Sequence, residues 1–311
     1  MEKAKVTILL AAYKGNEFAG TQIDSILAQD CGDWQLILSD DGEETADLLE
    51  SYAAAYPEKI RHIRSGQRFG SAQKHFLYLL AHCGLETPYV MFSDQDDVWH
   101  ADKVRKTLAV MEAAESDPDE PVLVHTDLKV VDGNLTEIAP SFLAFSKIDG
   151  TRLAFNELLV QNVVTGCTMM INHALAVLAV RAENVPQMMM HDWWLALLAS
   201  AFGKIAFLPE ATMDYRQHGK NQVGAKNAGS LGYLLSRLNG SYVTAMRDGT
   251  AVQAAAFLKL YGDKMSPEQQ KTCRAMAGMV SHGKAWRLRS MSRYHLWKNT
   301  LPRKMGQVIY W

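Results

Sequence analysis

The sequence predicts an α/β protein built on a doubly wound, Rossmann-like and mostly parallel sheet, followed by a helical C-terminal extension. Two observations carry this reading. Short continuous apolar runs alternate with segments of helical period from Val6 to Thr126, which is the pattern of strands buried on both faces and joined by crossover helices. After Gly229 the strand pattern stops and only helical segments follow.

Val6 to Ala12 is continuously apolar, as a central parallel strand requires. Phe18, Ile23, Ile26 and Leu27 then share one side of a helix expected over Glu17 to Ala28. A second strand runs from Gln35 to Ser39 and closes on Asp40-Asp41-Gly42, and Leu48, Leu49, Tyr52 and Tyr56 mark the next helix. Ile60 to Arg64 is a third strand, Ser71 to His82 a helix, Tyr89 to Ser93 a fourth strand, Lys103 to Ala114 a helix and Val122 to Thr126 another strand. Beyond it, Asn162 to Ile171 reads as a strand interrupted at Thr165-Gly166, and His173 to Val180 as a helix. His191-Asp192 opens an apolar helix over Trp193 to Phe202, and Lys204 to Leu208 and Ala211 to Tyr215 read as two short strands. A polar, glycine-containing stretch from Arg216 to Gly229 separates this part from the helices. The expected division is a catalytic domain over 1–227 and a helical region over 228–311.

The 311 residues suffice for a large core, and a formal net charge of −2 leaves no global footprint for nucleic acid. Cys31, Cys83, Cys167 and Cys273 lie far apart with no CxxC pair, which argues against a zinc module or a disulfide scaffold and suits a reducing compartment. The apolar run near the N-terminus is too short for a signal-peptide core, and no run approaches the ~20 residues that span a bilayer. A cytoplasmic protein is expected.

The most informative stretch is Tyr89 to Trp99, where Asp94, Asp96 and Asp97 follow a buried strand at once. Carboxylates so crowded repel one another and resist burial, so placing them at a strand end favours a shared cation. Hard oxygen ligands suit Mg²⁺ or Mn²⁺, and Mg²⁺ takes further ligands from substrate phosphates. In open α/β sheets ligands sit at the carboxyl ends of strands, where this cluster falls beside Asp40-Asp41-Gly42. By itself, either acidic segment would serve equally as a solvated turn.

Other candidates are weaker singly. Arg68, before the helix at Ser71, has a guanidinium matched to phosphate. Asp192 is an ordinary first-turn residue, yet Trp193 and Trp194 would surround it with low dielectric, which raises a carboxylate's affinity for protons and suits a general base. In Tyr215 to Asn221, His218 offers an imidazole, and Lys220 and Asn221 can reach phosphate oxygens.

Ala11-Ala12-Tyr13, Asp40-Asp41-Gly42, Asp94-Gln95-Asp96-Asp97-Val98-Trp99, Thr165-Gly166-Cys167-Thr168-Met169-Met170, His191-Asp192-Trp193 and Tyr215 to Asn221 occur in that order. Over roughly residues 5 to 227 this set resembles the bacterial family 2 glycosyltransferases. It is most similar to the rhamnosyltransferases that build streptococcal-type cell-wall polysaccharide on a lipid-linked acceptor. The resemblance implies a GT-A fold and inverting transfer from a nucleotide sugar, with dTDP-L-rhamnose the expected donor and a UDP-hexose the alternative. It implies that Ala11 and Tyr13 flank the base, that Asp41 hydrogen-bonds it, and that Arg68 contacts base or phosphate. Asp94 would bind ribose or sugar, Asp96 and His218 would hold Mg²⁺ or Mn²⁺ at the diphosphate, and Asp192 would be the catalytic base. Thr165, Gly166, His191, Trp193, Trp194, Lys220 and Asn221 would surround acceptor and diphosphate. The sequence departs from the family at Glu43, where Ser or Thr is common.

One base and a metal-type cluster fit single-displacement transfer better than glycosidic hydrolysis, which needs two carboxylates flanking the bond. A nucleotidyltransferase would need a glycine-rich phosphate loop near the N-terminus, for which Tyr13-Lys14-Gly15 is a poor substitute. A non-catalytic nucleotide-sugar-binding scaffold of polysaccharide assembly is the alternative of another class. It leaves the joint presence of Asp96, Asp192 and His218 without a role.

From Lys271 to Trp311 there are nine Lys or Arg and no Asp or Glu, interleaved with Trp, Tyr and Leu. That composition suits an interfacial helix, each basic residue near an anionic leaflet contributing about 1 kcal/mol. Peripheral contact with the inner face of the cell membrane is expected, and packing on the catalytic domain or in a homo-oligomer is the alternative.

Overall fold

The computed structural model describes residues 4–182, 185, 187–218 and 240–311. Strands and helices alternate as β1 (Val6–Ala12), α1 (Ala19–Leu27), β2 (Trp34–Asp40), α2 (Ala46–Ala55), β3 (Ile60–His62), α3 (Ala72–Cys83) and β4 (Tyr89–Asp94). Then follow β5 (Val98–Trp99), α4 (Lys103–Ala114), β6 (Val122–Val131), β7 (Glu137–Ala139), α5 (Phe142–Phe145) and α6 (Phe155–Leu158). The set continues with β8 (Met170–Asn172), α7 (His173–Ala179), α8 (His191–Phe202) and β9 (Lys204–Arg216). Helices α9 (Gly240–Tyr261), α10 (Pro267–Ala277), α11 (Lys284–Arg293) and α12 (Leu301–Tyr310) complete it.

One nine-stranded sheet runs in the order β3-β2-β1-β4-β8-β6-β9-β5, with β7 on β6. Strands β3, β2, β1 and β4 are parallel, as are β6 and β9, while β8 is antiparallel to both β4 and β6. The order reverses between β1 and β4, where β1 has paired on one side with β2 and takes β4 on the other. Such a switch point opens a crevice at the strands' carboxyl ends. Ala12 is level with Asp40, and Ala11 with Asp94, so both acidic turns reach that one edge.

Strands β1 and β4 are buried on both faces and divide two apolar clusters. One contains Ile8, Leu10, Leu36 and Met91. The other gathers Leu9, Phe92, Trp194 and Leu198 together with Phe257, Cys273, Met291 and Trp311, so the C-terminal helices close the same core as the sheet. The expected boundary at 227/228 lies outside the described residues.

Two expected elements differ. The run Asn162 to Ile171 is a strand only from Met170. Asn162 ties its side chain to both the N–H and the C=O of Val164 (3.0 and 2.7 Å), and Thr168 Oγ1 donates to Thr165 O (2.7 Å), so side chains take backbone groups that a ladder would need. A 3₁₀ turn over Gly166–Thr168 results. Conversely, Lys204–Arg216 is a single strand. Pro209 and Glu210 are accommodated where its register on β6 shifts, with Leu208 opposite Thr126 and Ala211 opposite Asp127.

Candidate active site

The crevice at the β1/β4 switch point has two compartments. In the first, the Gln95 side chain closes on Tyr13 from both sides, accepting from its N–H and donating to its C=O, each at 2.7 Å. A Cβ on Gly15 would fall 2.2 Å from Gln95 Oε1, so a side chain there would displace the Gln95 amide from Tyr13. Arg68 Nη2 donates to the Tyr13 hydroxyl (2.9 Å), and its guanidinium lies 5.5 Å from that ring's centre. Tyr13 and Arg68 thus form an exposed aromatic and cationic plate beside Ala11, suited to a base and its phosphate.

Asp41 underlies the plate. One of its carboxylate oxygens accepts from Phe69 N and the other from Gly70 N (2.8 Å), fixing the 66–70 loop that carries Arg68. Gly70 has φ +70, a conformation that glycine adopts without steric cost and that turns its N–H toward Asp41. Asp41 therefore holds the loop, with lone pairs left for a base. Glu43, where the sequence departs from the family, also has positive φ (79).

The second compartment is acidic. Asp94 is pushed up to about 7 by burial first and then by the charges of Asp96 and Asp192, while a hydrogen bond with Cys167 opposes. Asp97, fully buried, is raised well above the usual carboxylate range by burial and then by Asp96 and Asp94. It accepts a long bond from Arg216 N (3.3 Å) through Oδ1 and is approached by the Cys167 thiol, while Oδ2 has no conventional hydrogen-bond partner among the described residues. Ligand atoms of Asp94, Asp97 and Cys167 lie within 4.8 Å of one another. Lys103, also buried and held by Thr212 Oγ1 at 3.1 Å, is a nearby opposing charge, itself lowered to about 8 by burial.

Asp96 Oδ2 meets His218 Nε2 at 2.7 Å, and Asp96 O accepts from Arg216 Nε at 2.9 Å. These residues fit a hard divalent ion: crowded carboxylates hold protons unless a cation neutralises them, and an orphaned oxygen is available. The Cys167 thiol, raised well above its ordinary value by burial and neighbouring aspartates, stays neutral and is a poor ligand for such an ion.

Asp192 stands in the first turn of α8, whose apolar sequence buries it. Its Oδ2 accepts from Gly166 N (3.2 Å) and its Oδ1 from its neighbour Trp193 N (2.6 Å), with the Asn162 side chain as a further partner. Burial nevertheless raises it to about 6, the direction expected from its tryptophan neighbours. Gly166, which donates to it, immediately precedes Cys167 of the acidic cluster, so Asp192 borders that compartment.

Other expected site residues lie apart. His191 packs on Phe76 and Phe92 (ring centres 4.6 and 5.6 Å), buried behind Gly166 and lowered to about 3, so it backs the cleft wall. Trp194 belongs to the core against Phe257 and Tyr261. Trp193 is pinned by Nε1 on Leu158 O (2.5 Å), and Thr165 turns the chain into Gly166. Lys220 and Asn221 lie outside the described residues. Gln95, Asp97, Cys167 and Arg216 stood in the quoted motifs without an assigned role, whereas Asn162 carried no local signal.

An acidic cleft at a sheet's switch point, faced by one buried carboxylate tuned to take a proton, defines an α/β transferase rather than a passive scaffold. The description Glycosyl transferase family 2 matches residues 7–176, more than half of the chain, and the chain belongs to that family. It is 28% identical over 225 residues to the dTDP-rhamnosyl transferase RfbG of Shigella flexneri, covering 70% of this chain and 74% of that one. It is 24% identical over 147 residues to the amylovoran biosynthesis glycosyltransferase AmsB of Erwinia amylovora, covering 45% and 47%. The S. aureus TarS 1–349 structure with UDP-GlcNAc matches at TM-score 0.53 and 13% identity, over 91% of this chain and 82% of that one. The mannosyltransferase PcManGT of Pyrobaculum calidifontis, solved with GDP-Man and Mn²⁺, matches at TM-score 0.53 and 14% identity, over 99% and 84%. The fold is GT-A, and the protein is a glycosyltransferase.

Proposed function

We propose that this glycosyltransferase moves L-rhamnose from dTDP-L-rhamnose, with inversion, to a hydroxyl of a lipid-linked saccharide in cell-wall or capsular polysaccharide synthesis. The observation that carries the mechanism is the position of Asp192, buried, held by Gly166 N beside Cys167 of the acidic cluster, and raised by burial to about 6. The similarity to the Shigella flexneri enzyme supports the donor.

Tyr13 and Arg68 bind the base and its phosphate, on a loop that Asp41 holds in place. Asp94 orients the ribose or the sugar. Asp96 and His218 hold Mg²⁺ or Mn²⁺, which when bound neutralises charge on the departing diphosphate. Asp192 takes the proton of the acceptor hydroxyl as its oxygen forms the bond to C1 and the C1–O bond to the diphosphate breaks, so one displacement inverts the anomeric centre. A residue near 6 is deprotonated at neutral pH yet basic enough to share the proton in the transition state.

Among the described residues no helix is long and apolar enough to cross a membrane. Peripheral docking is supported by α12, where Leu301, Met305, Val308 and Ile309 are 71, 55, 42 and 47% exposed on one stripe beside Lys304. The deciding experiment incubates the protein and Mn²⁺ with dTDP-rhamnose, UDP-glucose, UDP-GlcNAc and GDP-mannose and scores nucleoside diphosphate release. Release from dTDP-rhamnose above the others is expected. Preference for a UDP-hexose moves the reading to that donor, and release from none of them, with a saccharide acceptor present, defeats the proposed choice of donor.

A further inference from the structure

Phe18 stands immediately before α1 and was expected to share that helix's apolar side with Ile23, Ile26 and Leu27. Those three do join the apolar cluster that β1 and β2 line, whereas Phe18 belongs to neither cluster and stays half-buried. Its ring is taken up at the mouth of the cleft instead. The Arg216 guanidinium lies over it, 4.6 Å from its centre, and the His218 imidazole packs beside it with ring centres 5.0 Å apart and planes tilted by 32°. A large apolar side chain that the core leaves unused, set against two polar groups of the site, calls for a role there.

The ring is held from the α1 side by backbone. Gly15 O accepts from both Phe18 N and Ala19 N (3.0 and 2.9 Å), and Gly15 N donates to Thr45 Oγ1 (2.8 Å), so the turn into α1 is anchored to the loop after β2. Arg216 is fixed as firmly, through Nε on Asp96 O (2.9 Å) and Nη1 on Gly133 O (2.7 Å), and a buried guanidinium over an aromatic face attracts it. His218 is placed differently. Gln217 N still donates to Val131 O of β6 (2.8 Å), one residue earlier, and the direction of the imidazole is then a matter of side-chain contacts. Asp96 Oδ2 on Nε2 (2.7 Å) and the Phe18 ring are two of these. One hydrogen bond lets an imidazole turn about it, and an aromatic ring packed against it restricts that turning.

We propose that Phe18 is a positioning residue of the ion site: packed by the Arg216 guanidinium and the His218 imidazole, its ring holds the imidazole against Asp96 and so sets how tightly a divalent ion is bound, without touching ion or donor. This rests on Asp96 and His218 as the residues that hold Mg²⁺ or Mn²⁺. A ligand already held in place gives up less conformational freedom when the ion arrives, so loss of the ring lowers the ion's contribution to binding and leaves recognition of the nucleotide itself intact.

The test titrates the full chain with dTDP by calorimetry, once with Mn²⁺ and once with EDTA, and takes the ratio of the two affinities as the ion's contribution. Phe18→Leu keeps apolar bulk but loses the flat ring, and should lower that ratio roughly threefold to tenfold while the affinity in EDTA stays that of the parent, which also shows that the variant is folded. Phe18→Tyr keeps the ring and should restore the ratio. His218→Ala should lower it too, and adding Phe18→Leu to His218→Ala should lower it no further, whereas general damage to the cleft would act in both backgrounds. A ratio unchanged in Phe18→Leu, or reduced by the same factor with and without His218, overturns the role of Phe18 and leaves His218 as a ligand. A parent ratio of one, or a ratio that His218→Ala does not alter, defeats the ion reading itself, and the role of Phe18 falls with it.

Discussion

Asp96 Oδ2 and His218 Nε2, 122 residues apart in the chain, meet at 2.7 Å across the mouth of the cleft. The loop after β4 and the exit of β9 are tied there a second time, by Arg216 Nε on Asp96 O. The loops after the central strand β4 and after β9, on the far side of β8 and β6, therefore converge on the place where a sugar nucleotide's diphosphate is expected, and mutations in and around it have distinguishable consequences.

Asp192→Asn keeps the shape of the side chain and one of the two backbone N–H bonds it accepts, but its amide cannot take a proton. Turnover should fall by about 10²–10⁴-fold, the usual contribution of a general base, while the affinity for dTDP stays within experimental error. Single-turnover kinetics and calorimetry separate the two, and near-normal kcat would remove Asp192 from the mechanism.

Activity and stability should respond oppositely to pH. The kcat profile is expected to lose activity below about 6 as Asp192 becomes protonated. Asp94, near 7, and Asp192, near 6, bind protons more tightly in the folded chain than an unfolded aspartate near ~4 does. Their stabilising contribution is thus complete below about 4 and is lost as pH rises through 6 to 7. Thermal melts of the metal-free protein should show that decline from these groups, and Mn²⁺ should raise Tm more at pH 8 than at pH 5. Equal metal-induced shifts at both would argue against binding at these carboxylates.

Gln95→Ala removes the two hydrogen bonds that set Tyr13. At about 1 kcal/mol for each bond, the donor KM should rise roughly tenfold or more with kcat largely preserved. A fall in kcat with unchanged KM would place Gln95 in the chemical step instead.

The α/β alternation and the shared edge of the two acidic turns were legible in the sequence because buried parallel strands are continuous apolar runs and their crossover helices carry their own period. Elements set by side chains that divert the backbone were not. Asn162 bonding both sides of Val164 turned an expected strand into a loop, and Pro209 within a register shift left β9 whole where two strands were expected. At the site, Asp94, Asp96, Asp192 and His218 could be picked out because carboxylates and imidazole stood in an ordered set of motifs. Asp41's grip on Phe69 and Gly70 could not, since it depends on a loop 28 residues onward. Nor could the withdrawal of His191 behind Gly166, because its place between Phe76 and Phe92 is a matter of packing.

The α12 stripe predicts binding to vesicles rich in phosphatidylserine. Leu301→Ser with Ile309→Ser should abolish flotation, and Lys304→Glu should weaken it by more than the roughly fivefold, or about 1 kcal/mol, that one basic residue contributes. If the parent protein fails to float and instead runs as a dimer that these substitutions dissociate, the stripe is a subunit contact.

The most direct test of the central claim is anomalous diffraction from crystals grown with Mn²⁺ and dTDP. The account predicts one strong manganese peak among the carboxylates of 94–97, ligated by Asp96 and touching the diphosphate, with the base on the Tyr13–Arg68 plate. A diphosphate bound there with no ion beside it, or a manganese peak at another surface, would contradict it.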